Sequence, residues 1–271
     1  MNLPGLKPLT AVSFFWALGP SCAGPDNQNR KPDIILIQLD DLGFSDLGIH
    51  GNELVESVFI DSFARQSVRF EHFYVNAVCA PTRASLLPGR HFLKTGVSHV
   101  HGGKEYIARN EKLLPEVLRE QGYVTGLWGK WHSGQTDGYS PWQRGFDEAY
   151  KAKLYQHRNS EGVLNGKPVQ HQKWGSEVIV DYALDFMKRN RNQPFFAYLP
   201  LMNCHEPLDA PKKFVEKYTD KGLSRNFATL YGMVEFMDSQ INRLMQGIDQ
   251  LGLLDNTIVM FLSDNGPAVI N

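Results

Sequence analysis

A cysteine, a proline and an arginine lie close together within Asn76–Arg90, in a pattern that could carry chemistry. Pro81 fixes its own φ and disfavours the helical region for Ala80, so a helix is predicted to begin near Pro81. Cys79 would then lie just before the helix N-terminus, where backbone N–H groups and Arg83 favour negative charge. This arrangement suits an activated sulfur or an anionic substrate. A buried cysteine that merely precedes a short helix explains these residues equally well.

Oxygen-bearing side chains follow two predicted strands. The apolar runs Asp33–Leu39 and Thr257–Leu262 are typical of strands covered on both faces. The carboxyl end of such a strand is where α/β sheets bind ligands, although a single Asp there is more simply a loop cap. The four side chains that follow the two strands offer only oxygen donors: Asp40, Asp41, Asp264 and Asn265. Oxygen donors alone favour calcium or magnesium over zinc.

Three basic side chains also follow predicted strands. Lys130 and His132 come after the strand Tyr123–Trp128 and a glycine, so both could point at one anion. Taken alone this pair is weak evidence, because surface lysines are common. His205 follows the strand Phe195–Pro200 and precedes a proline turn, which is a moderate indication of a functional histidine.

The strings around these residues resemble two signatures of the type I sulfatase family. Residues 79–90, Cys-Ala-Pro-Thr-Arg-Ala-Ser-Leu-Leu-Pro-Gly-Arg, are similar to the first signature. Residues 122–132, Gly-Tyr-Val-Thr-Gly-Leu-Trp-Gly-Lys-Trp-His, are similar to the second. Thr82 stands where many members have serine, Pro88 where threonine or alanine is usual, and Trp128 is bulkier than the usual residue.

The resemblance covers roughly residues 32–267 and implies a three-layer α/β/α sandwich with a mostly parallel central sheet, as in the alkaline phosphatase superfamily. It also implies that a formylglycine-generating enzyme oxidises Cys79 to formylglycine. Calcium, in preference to magnesium, would then be held by the converted residue and four others: Asp40, Asp41, Asp264 and Asn265.

The same resemblance implies a mechanism and an activity. The aldehyde hydrate at position 79 would attack the sulfur of a sulfate ester, while the metal ion, Arg83 and Lys130 supply positive charge. His205 is the candidate acid for the leaving alcohol. His132 is the candidate partner for the second hydroxyl as the aldehyde reforms. The substrate would be a sulfated carbohydrate or an aryl sulfate.

The remaining elements follow from apolar spacing. Helices are predicted over residues 116–121, 176–189 and 226–251, and a short one capped by Ser57. Val68–Tyr74 alternates and predicts a strand. Residues 151–173 are polar without a clear period, which favours an excursion, and Asp238 is interpreted as a charge on a helix surface or in packing.

Composition excludes several classes of protein. The chain has 271 residues, 42% of them hydrophobic and 21% charged, which is ordinary for a soluble globular protein. Its net charge of −1 gives no reason to expect nucleic acid or an anionic membrane surface as a partner. The three cysteines, Cys22, Cys79 and Cys204, have neither zinc-site spacing nor a disulfide framework.

The N-terminus has the pattern of an export signal. Lys7 precedes the apolar run Leu9–Leu18, which is too short to span a bilayer, and small residues follow at Ser21 and Ala23. We therefore expect a signal peptide over 1–23, a linker over 24–31 and a catalytic domain over 32–271, with the product periplasmic or secreted and not membrane-bound. A disordered start with some apolar residues is the alternative.

Two other functions remain open. Sulfatases continue past the Asp-Asn-Gly segment with another lysine and a smaller C-terminal subdomain, whereas this chain ends at Asn271, so we expect that subdomain to be missing. A catalytically inactive sulfatase-like fragment or binding protein is therefore one alternative. A phosphoric or phosphonic ester hydrolase of the same superfamily is the other, because fold alone does not choose the substrate.

Overall fold

The computed structural model describes residues 30–267, so the predicted signal peptide and most of the predicted linker lie outside the described residues. The strands are β1 (Asp33–Leu39), β2 (Val124–Gly129), β3 (Glu148–Ala152), β4 (Glu161–Leu164), β5 (Lys167–Gln170), β6 (Phe195–Pro200) and β7 (Thr257–Ser263). The α-helices are α1 (Val58–Arg65), α2 (Cys79–Leu86), α3 (Leu114–Glu120), α4 (Gly175–Asn190), α5 (Lys212–Asp220) and α6 (Arg225–Gln250).

The strands form a single mixed sheet in the order β5-β4-β3-β2-β6-β1-β7. The pairs from β3 through β7 are parallel, and β4 and β5 extend the sheet as an antiparallel meander. In the parallel part, the carboxyl ends of β2, β6, β1 and β7 lie side by side at one edge. The loops that follow these four strands therefore meet at this edge.

Alternating side chains of the central strands feed two separate cores. On β6, Phe195 and Ala197 pack with helices α4 and α6 on one face, while Phe196 and Tyr198 pack with α2 and α3 on the other. Both faces of the sheet are thus covered, as parallel strands require. The predicted three-layer sandwich with a mostly parallel sheet is confirmed.

The predicted long helices agree with the structure to within two residues at each end. Helix α2 begins two residues earlier than predicted, at Cys79, with Pro81 inside its first turn. Proline is tolerated there because the first four N–H groups of a helix have no intrahelical acceptor to bond. None of the helices in the described part of the chain is long and apolar enough to cross a membrane.

Three strand predictions need correction. Val68–Tyr74 forms no regular strand, and side chains such as Phe70 and Tyr74 are more than 75% exposed. No described strand lies beside this segment to bond its backbone, so its alternation alone does not make a strand. The polar excursion predicted over 151–173 instead contains β4, β5 and the end of β3. The strand β7 lies at the sheet edge and is only partly buried, with Ile258 49% exposed.

Helix α1 begins at an acidic side chain from a distant helix. Ser57 was predicted to cap α1, but its hydroxyl bonds to Asp61, and it makes no cap bond. The carboxylate of Asp238, on α6, accepts the backbone N–H groups of Phe59 at 3.1 Å and Ile60 at 2.7 Å. Asp238 is thus a buried packing charge that caps another helix, and the surface interpretation is wrong.

Replacing Asp238 with alanine is expected to destabilise the protein by about 1–3 kcal/mol, because two N–H donors at the start of α1 lose their acceptor. Urea unfolding followed by circular dichroism measures this loss. The matched control is Asp249→Ala, at an exposed position of the same helix, which should change stability by less than about 0.5 kcal/mol. Equal effects of the two substitutions would contradict the capping role.

Candidate active site

The predicted oxygen donors meet at the carboxyl edge of the sheet. Asp40 and Asp41 follow β1, while Asp264 and Asn265 follow the neighbouring β7. Asn265 Nδ2 donates to Asp41 Oδ1 at 2.5 Å, and the Asp41 backbone N–H donates to Asp264 Oδ1 at 3.2 Å. Single ligand atoms of Asp40, Asp264 and Cys79 lie within 4.8 Å of one another. The parallel pairing of β1 and β7 thus produces a compact donor cluster.

Two buried cations are paired with these carboxylates. Lys130, just after β2, donates to both oxygens of Asp40 at 2.8 and 2.6 Å. Arg83, on α2, reaches Asp264 Oδ2 through Nε at 3.0 Å and through Nη2 at 2.6 Å. Burial alone would lower the pKa of Lys130 and of Arg83, but the facing carboxylates raise both above their ordinary values. Both cations therefore keep their charge.

The charge and the donor set fit a hard divalent cation. The cluster contains three carboxylates, those of Asp40, Asp41 and Asp264, and two cationic side chains, which leaves one excess negative charge. Burial and the nearby Asp40 carboxylate raise the pKa of Asp264 to about 6, against the opposing effect of Arg83. Asn265 Oδ1 is buried and has no hydrogen-bond partner among residues 30–267. An oxygen-seeking ion would relieve both the crowding of the carboxylates and this unpaired acceptor.

Cys79 occupies the first position of α2 and is 6% exposed. Its Sγ lies 3.3 Å from His132 Nδ1. Burial raises the pKa of the Cys79 thiol, although nearby Lys130 opposes that shift. The unmodified thiol is therefore neutral at physiological pH. The helix N-terminus suggested an activated sulfur, but the Cys79 thiol is not activated.

The tautomer of His132 follows from its neighbours. Its Nε2 lies 2.8 Å from the carbonyl oxygen of Val100, which only accepts, so Nε2 carries the proton. Nδ1 is then an acceptor directed at Cys79. Burial, together with the charge of Lys130, lowers the pKa of His132 to about 3. The neutral ring thus offers a proton acceptor beside residue 79.

His205 borders an open cavity of about 490 Å³ beside Cys79. Its Nε2 lies 3.7 Å from Asp41 Oδ2. His157 is buried and donates from Nε2 to the His205 backbone carbonyl at 2.8 Å. His157 therefore positions the loop that carries His205.

Two residues of this cavity were missed from the sequence. His101 and Tyr155 both line it, and the Tyr155 ring centroid is 4.8 Å from that of His205. Tyr155 lies between β3 and β4, within residues 151–173, where the sequence predicted an excursion without regular structure. His101 precedes two glycines with positive φ, and that glycine pair was the available signal of a tight loop. Tyr155, Asp41 and His132 are themselves non-glycine residues with positive φ, a sign of backbone strain at functional sites.

Comparison with known proteins agrees with these features. The family model described as Sulfatase matches residues 32–271. The human N-acetylgalactosamine-6-sulfatase is 32% identical over 281 residues, covering 92% of this chain and 52% of that protein. The solved structure of Ps i-CgsB superposes with a TM-score of 0.81 at 29% identity, over 88% of this chain and 59% of that one. The chain spans about half the length of the curated relatives it matches.

A more distant structure supports the fold alone. A protein in the alkaline phosphatase superfamily from Vibrio parahaemolyticus has a TM-score of 0.59 at 18% identity and covers 90% of this chain. The predicted alkaline phosphatase-like architecture is confirmed by this likeness.

Calcium is expected to stabilise the protein if the oxygen cluster holds a divalent cation. At a hundredfold its dissociation constant, the ion should raise the melting temperature by roughly 5–10 °C, as measured by differential scanning fluorimetry after removal of metals with a chelator. Asp41→Asn, which removes one carboxylate charge, should abolish most of this rise, while Asp249→Asn at an exposed site should keep it. An unchanged rise in Asp41→Asn would show that the ion binds elsewhere.

The buried neutral His132 should also make stability depend on pH. The unfolded chain protonates this ring below about pH 6.5, whereas the folded protein does so only near pH 3, so stability is lost as the pH falls through this window. The contribution is at most about 1.4 kcal/mol per pH unit. His132→Gln should flatten the pH profile between pH 6.5 and 4, measured by urea unfolding in the presence of a chelator. His50→Gln, at an exposed position, should leave the profile unchanged, and an equally unchanged profile in His132→Gln would contradict the prediction.

Proposed function

Because the chain belongs to the sulfatase family, we propose that it hydrolyses sulfate esters of carbohydrates, with residue 79 as the source of the nucleophile. The observation that carries this proposal is the pairing of Cys79 with a proton acceptor, His132 Nδ1, 3.3 Å away and beside two buried cations. A nucleophile next to a base and to fixed positive charge is what attack on an anionic ester requires.

The oxidation state of residue 79 is part of the proposal. A neutral thiol is a poor nucleophile, and burial keeps the Cys79 thiol neutral. Conversion of Cys79 to formylglycine by a formylglycine-generating enzyme would replace it with an aldehyde, whose hydrate carries two hydroxyl groups. One hydroxyl oxygen would form a bond to sulfur as the bond from sulfur to the alcohol oxygen breaks. The second hydroxyl would lose its proton, its oxygen would form the double bond of the aldehyde, and the bond from the same carbon to the sulfated oxygen would break to release sulfate. Addition of water would then restore the hydrate.

The cluster around Asp40 and Asp264 would bind the anionic sulfate group. We propose that a calcium ion, or less favourably a magnesium ion, is held by residue 79 and four oxygen donors: Asp40, Asp41, Asp264 and Asn265. A bound divalent cation supplies Lewis-acid stabilisation of negative charge. It also converts the excess negative charge of the cluster into a net positive one. Arg83 and Lys130 then hold the sulfate group without a competing surplus of carboxylates.

Two histidines move the protons. His132 donates from Nε2 to the Val100 carbonyl, and this bond keeps Nδ1 free to accept the proton from a hydroxyl on residue 79. His205 lines the cavity beside Cys79 and is the candidate donor to the leaving alcohol oxygen. Asp41 Oδ2 lies 3.7 Å from His205 Nε2, and both residues line this cavity.

A carbohydrate is the substrate that the relatives favour. The human relative is named for N-acetylgalactosamine 6-sulfate, and another structure of Ps i-CgsB is a complex with k-i-k-neocarrahexaose. The cavity beside Cys79 is open and lined by the rings of His101, Tyr155 and His205, which suits a sugar. The apolar run near the N-terminus also leads us to propose that the protein is exported, to the periplasm or outside the cell.

The chemical state of Cys79 is the first prediction of this proposal. Mass spectrometry of the tryptic peptide Phe70–Arg83, from protein made in its native host, should show an aldehyde in place of the thiol. The same protein should release sulfate from N-acetylgalactosamine 6-sulfate or an aryl sulfate, and Cys79→Ala should lose that turnover. Cys204→Ala is the matched control, since Cys204 is a second buried cysteine that packs in the core and should not be needed for turnover.

Three results would overturn the proposal in different ways. An intact thiol with no turnover favours an inactive sulfatase-like protein, which the half-length match to the relatives leaves open. Faster hydrolysis of an aryl phosphate than of the matched aryl sulfate favours the phosphoric ester hydrolase. Sulfate release that survives Cys79→Ala would falsify the role of residue 79.

A further inference from the structure

A second cavity adjoins the candidate active site. It has a volume of about 530 Å³ and shares Tyr155 with the cavity beside Cys79. His132, whose Nδ1 faces Cys79, also lines it. Its far wall is the β3–β5 meander, including Lys151 and its cross-strand partner Val163. A molecule bound at the active site could therefore extend past Tyr155 into this second space.

Lys151 is the feature of this cavity that calls for a ligand. Its side chain is half-buried, and its Nζ lies 5.5 Å from the centroid of the Trp142 ring. Within residues 30–267, no hydrogen bond or ion pair joins this ammonium group to another residue. Burial lowers the pKa of Lys151, and no carboxylate offsets that effect. A charged group that is partly removed from water and left unpaired costs free energy, which a bound anion would recover.

The neighbouring lysine shows the contrast. Lys153 also lines the cavity, but it is exposed, and its Nζ is 2.9 Å from Glu161 Oε2. That ion pair neutralises Lys153 and Glu161 together. The uncompensated positive charge of the cavity therefore comes from Lys151.

We infer that this cavity is a binding subsite for a second anionic group, a carboxylate or a sulfate, on the saccharide that presents its sulfate ester to Cys79. The inference rests on the proposed function and narrows its substrate to polyanionic saccharides. Tyr155 lies between the two anionic groups, where its ring offers an apolar face to a sugar. Lys151 is thereby a specificity-determining residue that binds the neighbouring unit and takes no part in the reaction at sulfur.

Equilibrium binding tests the inference. The full chain carrying Cys79→Ala, which prevents turnover, is titrated by isothermal calorimetry with four ligands. These are N-acetylgalactosamine 6-sulfate, its disaccharide with glucuronate, the same disaccharide without sulfate, and a disaccharide whose second sugar carries sulfate instead of a carboxylate. The same titrations are repeated with Lys151→Gln and with the matched control Lys153→Gln, after circular dichroism has shown both variants to be folded.

Lys151→Gln should weaken binding of the two dianionic disaccharides about tenfold, the effect of losing one hydrogen bond between charged groups. It should change binding of the monosulfated sugar less than twofold, and Lys153→Gln should change none of the affinities more than twofold. The two dianionic ligands show whether the subsite takes the carboxylate or the sulfate. Either preference supports the subsite.

Other outcomes overturn it. If Lys151→Gln weakens the monosulfated sugar as much as the disaccharides, or no more than Lys153→Gln does, the subsite does not exist. If the monosulfated sugar fails to bind while the unsulfated glucuronate disaccharide binds through Lys151, the subsite stands and the proposed sulfatase function fails. If no ligand binds, both are wrong.

Discussion

The candidate active site at the carboxyl ends of the strands depends on two buried ion pairs, Arg83 with Asp264 and Lys130 with Asp40. Each of these four side chains is at most 1% exposed, so each charge would be costly without its partner. The pairs can form because their residues come from α2 and from the ends of three parallel strands of one sheet. The sheet order thus brings each buried charge to its partner.

The same ion pairs limit how strongly Arg83 and Lys130 can attract an anionic ligand. Arg83 and Lys130 are bound to carboxylates, so their positive charge is largely neutralised within the protein. Under the proposed function, attraction of a sulfate ester would require that some of the carboxylate charge be shared with another cation. The unpaired acceptor of Asn265 and the raised pKa of Asp264 support the proposal that this cluster binds a cation. In this proposal, anion binding therefore depends on metal binding, because both involve the charge of the same carboxylates.

The chemistry of the site was easier to predict from the sequence than its surroundings. Asp40, Lys130 and His205 each follow an apolar strand, and the resemblance to the sulfatase signatures grouped them into one site. The structure explains why they meet, because parallel strands end at one edge of the sheet. The local pattern of polar and apolar residues gave wrong predictions where a strand forms only if a neighbouring strand pairs with it. The polar residues of β4 and β5 form strands because they extend an existing sheet, whereas the alternating Val68–Tyr74 has no described neighbour and stays irregular.

The roles of several side chains depend on tertiary contacts and could not be predicted from the local sequence. Asp238 caps a helix from 178 residues away in sequence, a contact that no local pattern contains. Tyr155 and Lys151 reach the cavities only because the β3–β5 meander folds beside the loop after β2. These residues lie in the segment with no clear period, where sequence analysis had the least to say.

Backbone strain connects the scaffold to the site. Asp41, His132 and Tyr155 adopt left-handed conformations that cost a non-glycine residue on the order of 1–3 kcal/mol each. Two of the three stand immediately beyond strands, β1 and β2, that are buried on both faces. The packing of those strands fixes the chain on one side, and the bonds of Asp41 to Asp264 and Asn265 and of His132 to Val100 fix it on the other. The packed strands therefore hold the strained conformations in place, with Asp41 beside Asp264 and Asn265 and with His132 Nδ1 beside residue 79.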